Sequence, residues 1–460
     1  MKFAPALLAL LALAGCVSAG PRRDAPAAAA VTVPAAWRTP LVPGGPVTGE
    51  WWSAFGDPAL SAYVAHALAG NIDIEVAAAR VEEARAAFDL SRAQLLPQVG
   101  GTLPETQGQT LNPFGIASRA IGAQPSLSAS FDLDLFGRLR QASRAARAQL
   151  LAGRGARDTV RLATASSAAS GYILLRALDR RLDIARGTLA ARSDALRIAR
   201  RRFETGYSSR LEYRQAQAEY AATQQLVPAA ELAIARQENA LSLLAGDPPG
   251  PIARGLALDR LLLPPIPDGL PADLLRRRPD LFQAEQTLVA ADRTLDSQRA
   301  AFLPNLALTG SVGVVLSTAL SNPVGVFSLG ASALGPIFDG GRLRAQERAA
   351  VARRDQAAFA YRRTALVAFR EVDDALAGVR RTREQAEALA AQANAASGAL
   401  QNATNRYRAG YSAYIEQLDA QRNLLTAQLS LVQTQSDQLT SYVSLYQAMG
   451  GGWPGVTAPR

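Results

Sequence analysis

The chain is poor in the side chains that carry most enzyme chemistry. Of its 460 residues one is histidine (His66), one is cysteine (Cys16) and two are methionine. Zinc, haem and iron–sulfur centres need several imidazole or thiolate donors, and a thiol nucleophile needs a base beside it. Metal, redox-centre and Cys/His chemistry are therefore not expected, no other constellation of nucleophile and base stands out, and the reading is of a protein that is not an enzyme. His66 is expected as a surface or locally satisfied histidine. Lysine is nearly absent as well, Lys2 being the sole example, so the net charge of +10 is carried almost wholly by arginine. The arginines are spread along the chain without an aromatic-interleaved basic patch, which speaks against nucleic acid. The triplets Arg200-Arg201-Arg202 and Arg276-Arg277-Arg278 are accordingly expected as solvated helix faces. Aromatics make up only 6% of the chain, against 48% hydrophobic and 19% charged residues. That balance is too apolar for disorder, and an apolar share filled by alanine predicts long, closely packed helices.

Long apolar runs are missing beyond Cys16, so no transmembrane helix is expected, although a β-barrel is not excluded. Before it, Met1 to Cys16 runs from one basic residue through an apolar stretch to Leu13-Ala14-Gly15-Cys16, the order of a secretory signal. Leu-Ala-Gly-Cys resembles the lipobox of bacterial lipoproteins, in which the cysteine becomes the acylated N-terminus. Residues 1–15 are then a removed signal peptide, Cys16 carries covalent lipid as its only attached group, and 16–36 form a lipidated start and an Ala/Pro-rich linker. Val17, in place of aspartate, resembles the sorting signal for the outer membrane.

Helical periodicity covers Pro58 to Leu96, Leu139 to Thr205, Leu211 to Leu244, Pro271 to Leu303, Leu343 to Ala409 and Tyr414 to Met449. The second and fifth stretches predict rods of about 100 Å and suggest coiled-coil pairing. Pro228 lies inside the third and should kink or interrupt it. From Ser126 to Phe136, apolar Leu127, Ala129, Phe131, Leu133 and Leu135 alternate with Ser and Asp, the period of a strand with one apolar and one polar face. Asn305 to Val315 and Phe327 to Leu334 read alike, joined by a turn at Leu320 to Pro323. A partner for the first strand falls at Gln98 to Gln109, which is poorer in β-formers and interrupted by Pro104.

The two halves repeat. Arg202-Phe203-Glu204-Thr205-Gly206-Tyr207-Ser208 matches Arg406-Tyr407-Arg408-Ala409-Gly410-Tyr411-Ser412, and Gly137-Arg138-Leu139-Arg140 matches Gly341-Arg342-Leu343-Arg344 at the same spacing. The expected organisation is a first repeat over 37–245 with a hairpin at about 98–136, a Pro/Gly-rich connector over 246–270, a second repeat over 271–449 with a hairpin at about 305–338, and a tail over 450–460. Four strands cannot close a barrel, and open strand edges are not tolerated in lipid, so oligomerisation is required. Three chains would supply twelve strands, polar face inward and apolar face to lipid.

Several motifs together make the chain similar to the outer-membrane factor family, of the NodT and OprM lipoprotein type, with TolC a more distant relative. They are Trp51-Trp52-Ser53-Ala54-Phe55-Gly56-Asp57-Pro58, Asp134 to Arg140, Leu270 to Asp280, Pro336 to Gly341 and Tyr446 to Trp453. The resemblance implies a mostly α fold with a small β part. It implies further a homotrimer with a twelve-stranded outer-membrane barrel, a long periplasmic α-barrel and an equatorial belt of connectors and termini. It implies an exit duct for drugs or other small solutes, docking with a periplasmic adaptor and an inner-membrane transporter of the RND class. A duct for a secreted polypeptide or signal molecule stays open as an alternative, and a lipid-anchored helical scaffold without a pore is disfavoured by the alternating strands.

Gly206 and Gly410 lie where long helices must reverse, and such turns want positive φ. In the family these turns meet the adaptor, which implicates Gly206, Tyr207, Ser208, Gly410, Tyr411 and Ser412. Glu416 and Asp419 are three residues apart and project from one helix face. The family places such acids at the channel aperture, where symmetry multiplies them and favours cations; a solvated face is the plainer alternative. Glu212 is the repeat equivalent of Glu416, while Gln215 replaces the second acid. Trp51, Trp52 and Trp453 are expected to anchor the chain ends to the helical belt.

Overall fold

The structure, a computed structural model, describes residues 24–39, 44–45, 49–111, 113–115, 117–318 and 320–455. The leader and Cys16 lie outside the described residues. In chain order the elements are helices α1 (Pro58–Gly70) and α2 (Ile72–Ala93), strands β1 (Gln98–Thr102), β2 (Glu105–Leu111), β3 (Ala117–Ala123) and β4 (Ser126–Asp132), helices α3 (Arg138–Glu204), α4 (Arg210–Gln224), α5 (Leu226–Ala245), α6 (Pro271–Arg277) and α7 (Pro279–Ala300), strands β5 (Asn305–Ser317) and β6 (Val324–Leu334), and helices α8 (Arg342–Arg408) and α9 (Tyr414–Ala448). Helices α3 and α8 each have 67 residues, about 100 Å of rod. The described residues divide into two compact units, one drawn from 24–31, 79–154 and 283–363, the other from 32–78, 155–282 and 364–455.

The first unit holds an antiparallel sheet. The arm expected at Gln98 to Gln109 forms, but as two strands, and its partner likewise divides into β3 and β4. Prolines cause both breaks, since Pro104 and Pro125 have no N–H for the ladder. The register nonetheless runs straight through. Gln98 pairs with Ser130 and Glu105 with Ala123, and between them Gln124 N donates to Pro104 O at 3.0 Å. The four short strands are thus one long hairpin nicked by two prolines. β5 continues the sheet beside β4 and β3, again across the break, with Val314 N donating to Pro125 O at 3.0 Å. β6 pairs with β5 from Asn305↔Leu334 to Val315↔Val324, a longer hairpin than the periodicity had predicted. The expected strand to Phe136 stops at Asp132, because Asp134 turns the chain at φ 44° and Gly137 at φ 77°.

This register sorts the side chains by face. Val99, Leu127, Phe131, Leu308, Val312, Phe327 and their neighbours form a face that is apolar over β1, β4, β5 and β6, whereas β2 and β3 place Glu105, Gln107, Gln109 and Arg119 on it. It is open to the surroundings, with Phe327 85% and Leu329 88% exposed. The opposite face carries hydroxyls joined across strands, Thr102 Oγ1 to Ser126 Oγ at 2.9 Å and Ser311 Oγ to Ser328 Oγ at 2.8 Å. The arm of β1 and β2 has β4 and β3 on one side only, and β6 has only β5.

Three of the helical stretches break where local chemistry supplies an alternative. Asn71 ends α1, its Oδ1 accepting from Ile74 N at 3.1 Å to start α2. Pro228 cannot donate to Gln224, and the helix divides at Gln225 into α4 and α5, as the proline had led us to expect. Arg278, held extended at φ −106° and ψ 126° ahead of Pro279, separates α6 from α7.

The second unit packs α1 against α5. Gly70 and Gly246 meet there so closely that a Cβ on Gly246 would lie 2.1 Å from Gly70 O. Asp57, 1% exposed, caps α1 through Ala59 N at 2.8 Å and accepts from Leu256 N at 3.0 Å, tying the connector down. The tryptophans anchor the chain ends as expected, Trp51 stacking on Tyr446 at 5.5 Å and Trp453 packing on Phe282 while its Nε1 donates to Asp158 at 3.0 Å. His66 sits on the surface with Nε2 2.6 Å from Asp247 Oδ2.

Candidate functional site: the two helix turns

Both long helices end in the same way. After α3, Gly206 takes φ 77°, its N–H donates to Phe203 O at 3.0 Å and Tyr207 N donates to Arg202 O at 2.7 Å. After α8, Gly410 takes φ 83°, its N–H donates to Tyr407 O at 3.1 Å and Tyr411 N to Arg406 O at 2.9 Å. Each is a Schellman closure that satisfies the last carbonyls of its helix, and glycine is required because the left-handed region strains any other residue. Tyr207 and Tyr411 stand out at 88% and 81% exposure. The hydroxyls of Ser208 and Ser412 beside them in the chain are shielded from solvent and have no hydrogen-bond partner among the described residues.

The following helices start differently. Ser209 caps α4 by accepting from Glu212 N at 3.3 Å, whereas Ala413 has no side chain to do this for α9. Glu212 and Glu416 therefore occupy the same third position of the first turn, where a carboxylate also favours the helix dipole. Glu416 is half exposed with Arg406 Nε 3.8 Å away, and Asp419 is exposed one turn further on. The charge of Glu212 acts on the Tyr407 phenol, adding to the upward push that burial gives it.

That contact is made by Arg202. Its Nη2 donates to Tyr407 O at 3.1 Å and to Arg408 O at 3.2 Å, and its guanidinium lies 4.4 Å over the Tyr407 ring. Tyr407 packs on Tyr414 at 5.5 Å within a cluster of Ala195, Ala199, Ala216 and Leu418. Burial pushes both phenols above their ordinary range, with Arg202 and Arg192 opposing the shift. Further from the turns, Glu219 of α4 takes two arginines, Arg192 of α3 at 3.1 Å and Arg422 of α9. Arg192 is 2% exposed, so this carboxylate holds a buried cation among three helices.

The solvated role expected for the arginine triplets thus fails at their last members. Arg202 bridges the turns, and Arg278 is buried, paired with Asp280 at 2.7 Å and with Glu371 at 2.7 Å while donating to Ala448 O at 3.1 Å. Pro279 swings Arg278 out of helical geometry and into the core. Neither Arg192, Glu219 nor Arg422 carries a motif, and the one visible hint is the Arg202/Arg406 correspondence between the halves. Among the described residues no helix is long and apolar enough to cross a membrane, and no cluster of three potential metal ligands occurs.

Two 67-residue helices closed by matched turns, with a sheet whose β1, β4, β5 and β6 expose an apolar face, define a protein of the outer-membrane channel class. The chain belongs to the outer membrane efflux protein family, whose model matches residues 64–247 and again 270–451. It is similar to the solvent efflux pump outer membrane protein SrpC of Pseudomonas putida, with 34% identity over 97% of both chains. It also resembles the pyoverdine export outer membrane protein OpmQ of Pseudomonas aeruginosa, with 31% identity over 98% of this chain and 97% of that one. Among solved structures, the open-state MtrE outer membrane channel of Neisseria gonorrhoeae superposes with a TM-score of 0.84 at 27% identity, covering 95% of this chain and 98% of that one.

Proposed function

We propose that three copies of this chain form an outer-membrane duct through which a tripartite pump expels small solutes. The observation that carries the reading is the sheet, with an exposed apolar face over β1, β4, β5 and β6, a hydroxyl-bearing opposite face and an open edge on each side. In lipid such edges leave backbone groups unsatisfied, each at a cost of several kcal/mol, so closure by further copies is the stable outcome. Twelve arms from three chains suit a barrel with its apolar face to lipid and its hydroxyls to a wet lumen. The two halves of each chain act as repeats, and their helices form the periplasmic wall of the duct. The names of the relatives, a solvent pump in one case and pyoverdine export in another, favour small molecules over polypeptides as cargo.

Within this reading Cys16 carries the lipid anchor, and the turns at Gly206-Tyr207-Ser208 and Gly410-Tyr411-Ser412 meet a periplasmic adaptor. Their exposed tyrosines offer apolar contact and their shielded serine hydroxyls lack partners among the described residues. The adaptor links the duct to an inner-membrane RND transporter, which supplies the energy. Glu416, Asp419 and Glu212 bias the aperture toward cations. Native mass measurement of the detergent-extracted protein tests the assembly: three chains are expected, and a stable monomer with the same β content would refute closure. Mass spectrometry of the mature N-terminus should find acylated Cys16 and no residues 1 to 15.

A further inference from the structure

The repeated Gly-Arg-Leu-Arg segment is not accounted for by the duct alone. It opens α3 and α8, and neither helix has an acidic residue in its first turn. That runs against the helix dipole, which favours anions at an N-terminus and disfavours cations. From Arg138 to Arg157 there is no acid at all, and from Arg342 to Arg354 only Glu347, which is buried against Arg299 at 3.0 Å. The acids of the preceding turns are already engaged. Asp134 accepts from Leu139 N and Arg140 N, both at 2.9 Å, Asp339 accepts from Gly341 N at 2.9 Å and Leu343 N at 2.8 Å, and Asp132 faces Arg138 at 3.8 Å. On these stretches of helix Arg144, Arg344 and Arg348 are exposed and lack an ion-pair partner among the described residues.

The two halves diverge at one position in a way that frees a cation. In the first, Asp134 is buried and holds Arg140 through Nε at 3.2 Å. In the second the aspartate is displaced by one residue, Phe338 stands in its place at 89% exposure, and Arg344 is left unpaired. The turns also expose Leu135, Phe136 and Ile337, directly after strands whose apolar face is itself exposed. Apolar side chains followed in the first turns of the next helix by unpaired arginines suit the boundary of a bilayer, where rings sit at headgroup depth and arginine reaches phosphate.

We propose that this collar, formed by Leu135, Phe136, Phe338, Arg144, Arg344 and Arg348, binds anionic phospholipid headgroups where the sheet leaves the membrane. The proposal rests on the membrane-inserted reading of the sheet and adds lipid selectivity to it. Attraction of a basic side chain to an anionic surface amounts to about fivefold in partitioning per arginine. The test offers the detergent-solubilised assembly equimolar phosphatidylglycerol and phosphatidylcholine and counts retained lipids by native mass spectrometry at rising sodium chloride. Phosphatidylglycerol should be preferred at low salt, and the preference should shrink as salt screens the arginines. Arg344→Gln with Arg348→Gln should lower the preference at least about fivefold, while Arg236→Gln with Arg260→Gln, of equal charge change, should not. Equal retention of both lipids by the unsubstituted protein overturns the proposal and leaves the membrane reading standing, as does a salt-independent preference. Retention of neither lipid removes both.

Discussion

Arg202→Met is the substitution that most directly probes how the two turns are held together. It keeps an unbranched apolar stem and removes two charge-assisted hydrogen bonds, to Tyr407 O and Arg408 O, together with the cation over the Tyr407 ring. The site is only half-buried, so each bond is discounted for solvent screening to about 0.75 kcal/mol, within the ordinary hydrogen-bond range, and the two contribute about 1.5 kcal/mol together. A partly desolvated cation–π contact adds about 0.5–1 kcal/mol. The second turn should therefore open more easily by about 2–2.5 kcal/mol, which is roughly a 30- to 70-fold loss of amide protection. Hydrogen exchange read by mass spectrometry on peptides covering residues 405–413 measures this, with Arg201→Met as the exposed neighbour that should leave protection within about twofold. Unchanged exchange in the Arg202 variant, with the rest of the protein intact, would mean that the turns are coupled by packing of Tyr407 and Tyr414 alone.

Gly450→Ala should destabilise the second unit by about 2–4 kcal/mol, because φ is 92° and the new Cβ would fall 2.0 Å from Arg277 O; the helical circular-dichroism melt reads the loss. Asp339 is held below the usual carboxylate range by the N–H groups of Leu343 and Gly341. A depressed folded value means that its capping is complete above the unfolded pKa of about 4 and is lost as pH falls through the lower folded one. Exchange of residues 340–346, corrected for intrinsic rates, should rise on acidification below about pH 4 in the native protein and not in Asp339→Asn. Glu416→Ala with Asp419→Ala should weaken cation selectivity and divalent block in planar-bilayer conductance at a stability cost within about 0.5 kcal/mol; unchanged conductance would return both acids to an ordinary solvated face.

Sequence by itself determined whatever depends on local chemistry. The period of alanine and leucine laid out the helices, the Ser/Leu alternation after Pro125 laid out the two-faced strand, and Gly206 and Gly410 marked the reversals because glycine takes that φ without steric cost. Even the effect of Pro228 could be read from its missing N–H. Tertiary structure decided whatever depends on a partner distant in the chain. Residues 105–111 are poor β-formers, and they pair because the register carried across Pro104 and Pro125 gives their backbone a ladder to join. Arg202 and Arg278 read as members of basic triplets, yet each meets carbonyls or carboxylates brought from far along the chain, and Arg192 and Glu219 found one another with no pattern to announce them. A charged side chain reveals its place only once its counter-ion and its solvent exposure are known, and both are properties of the packed molecule.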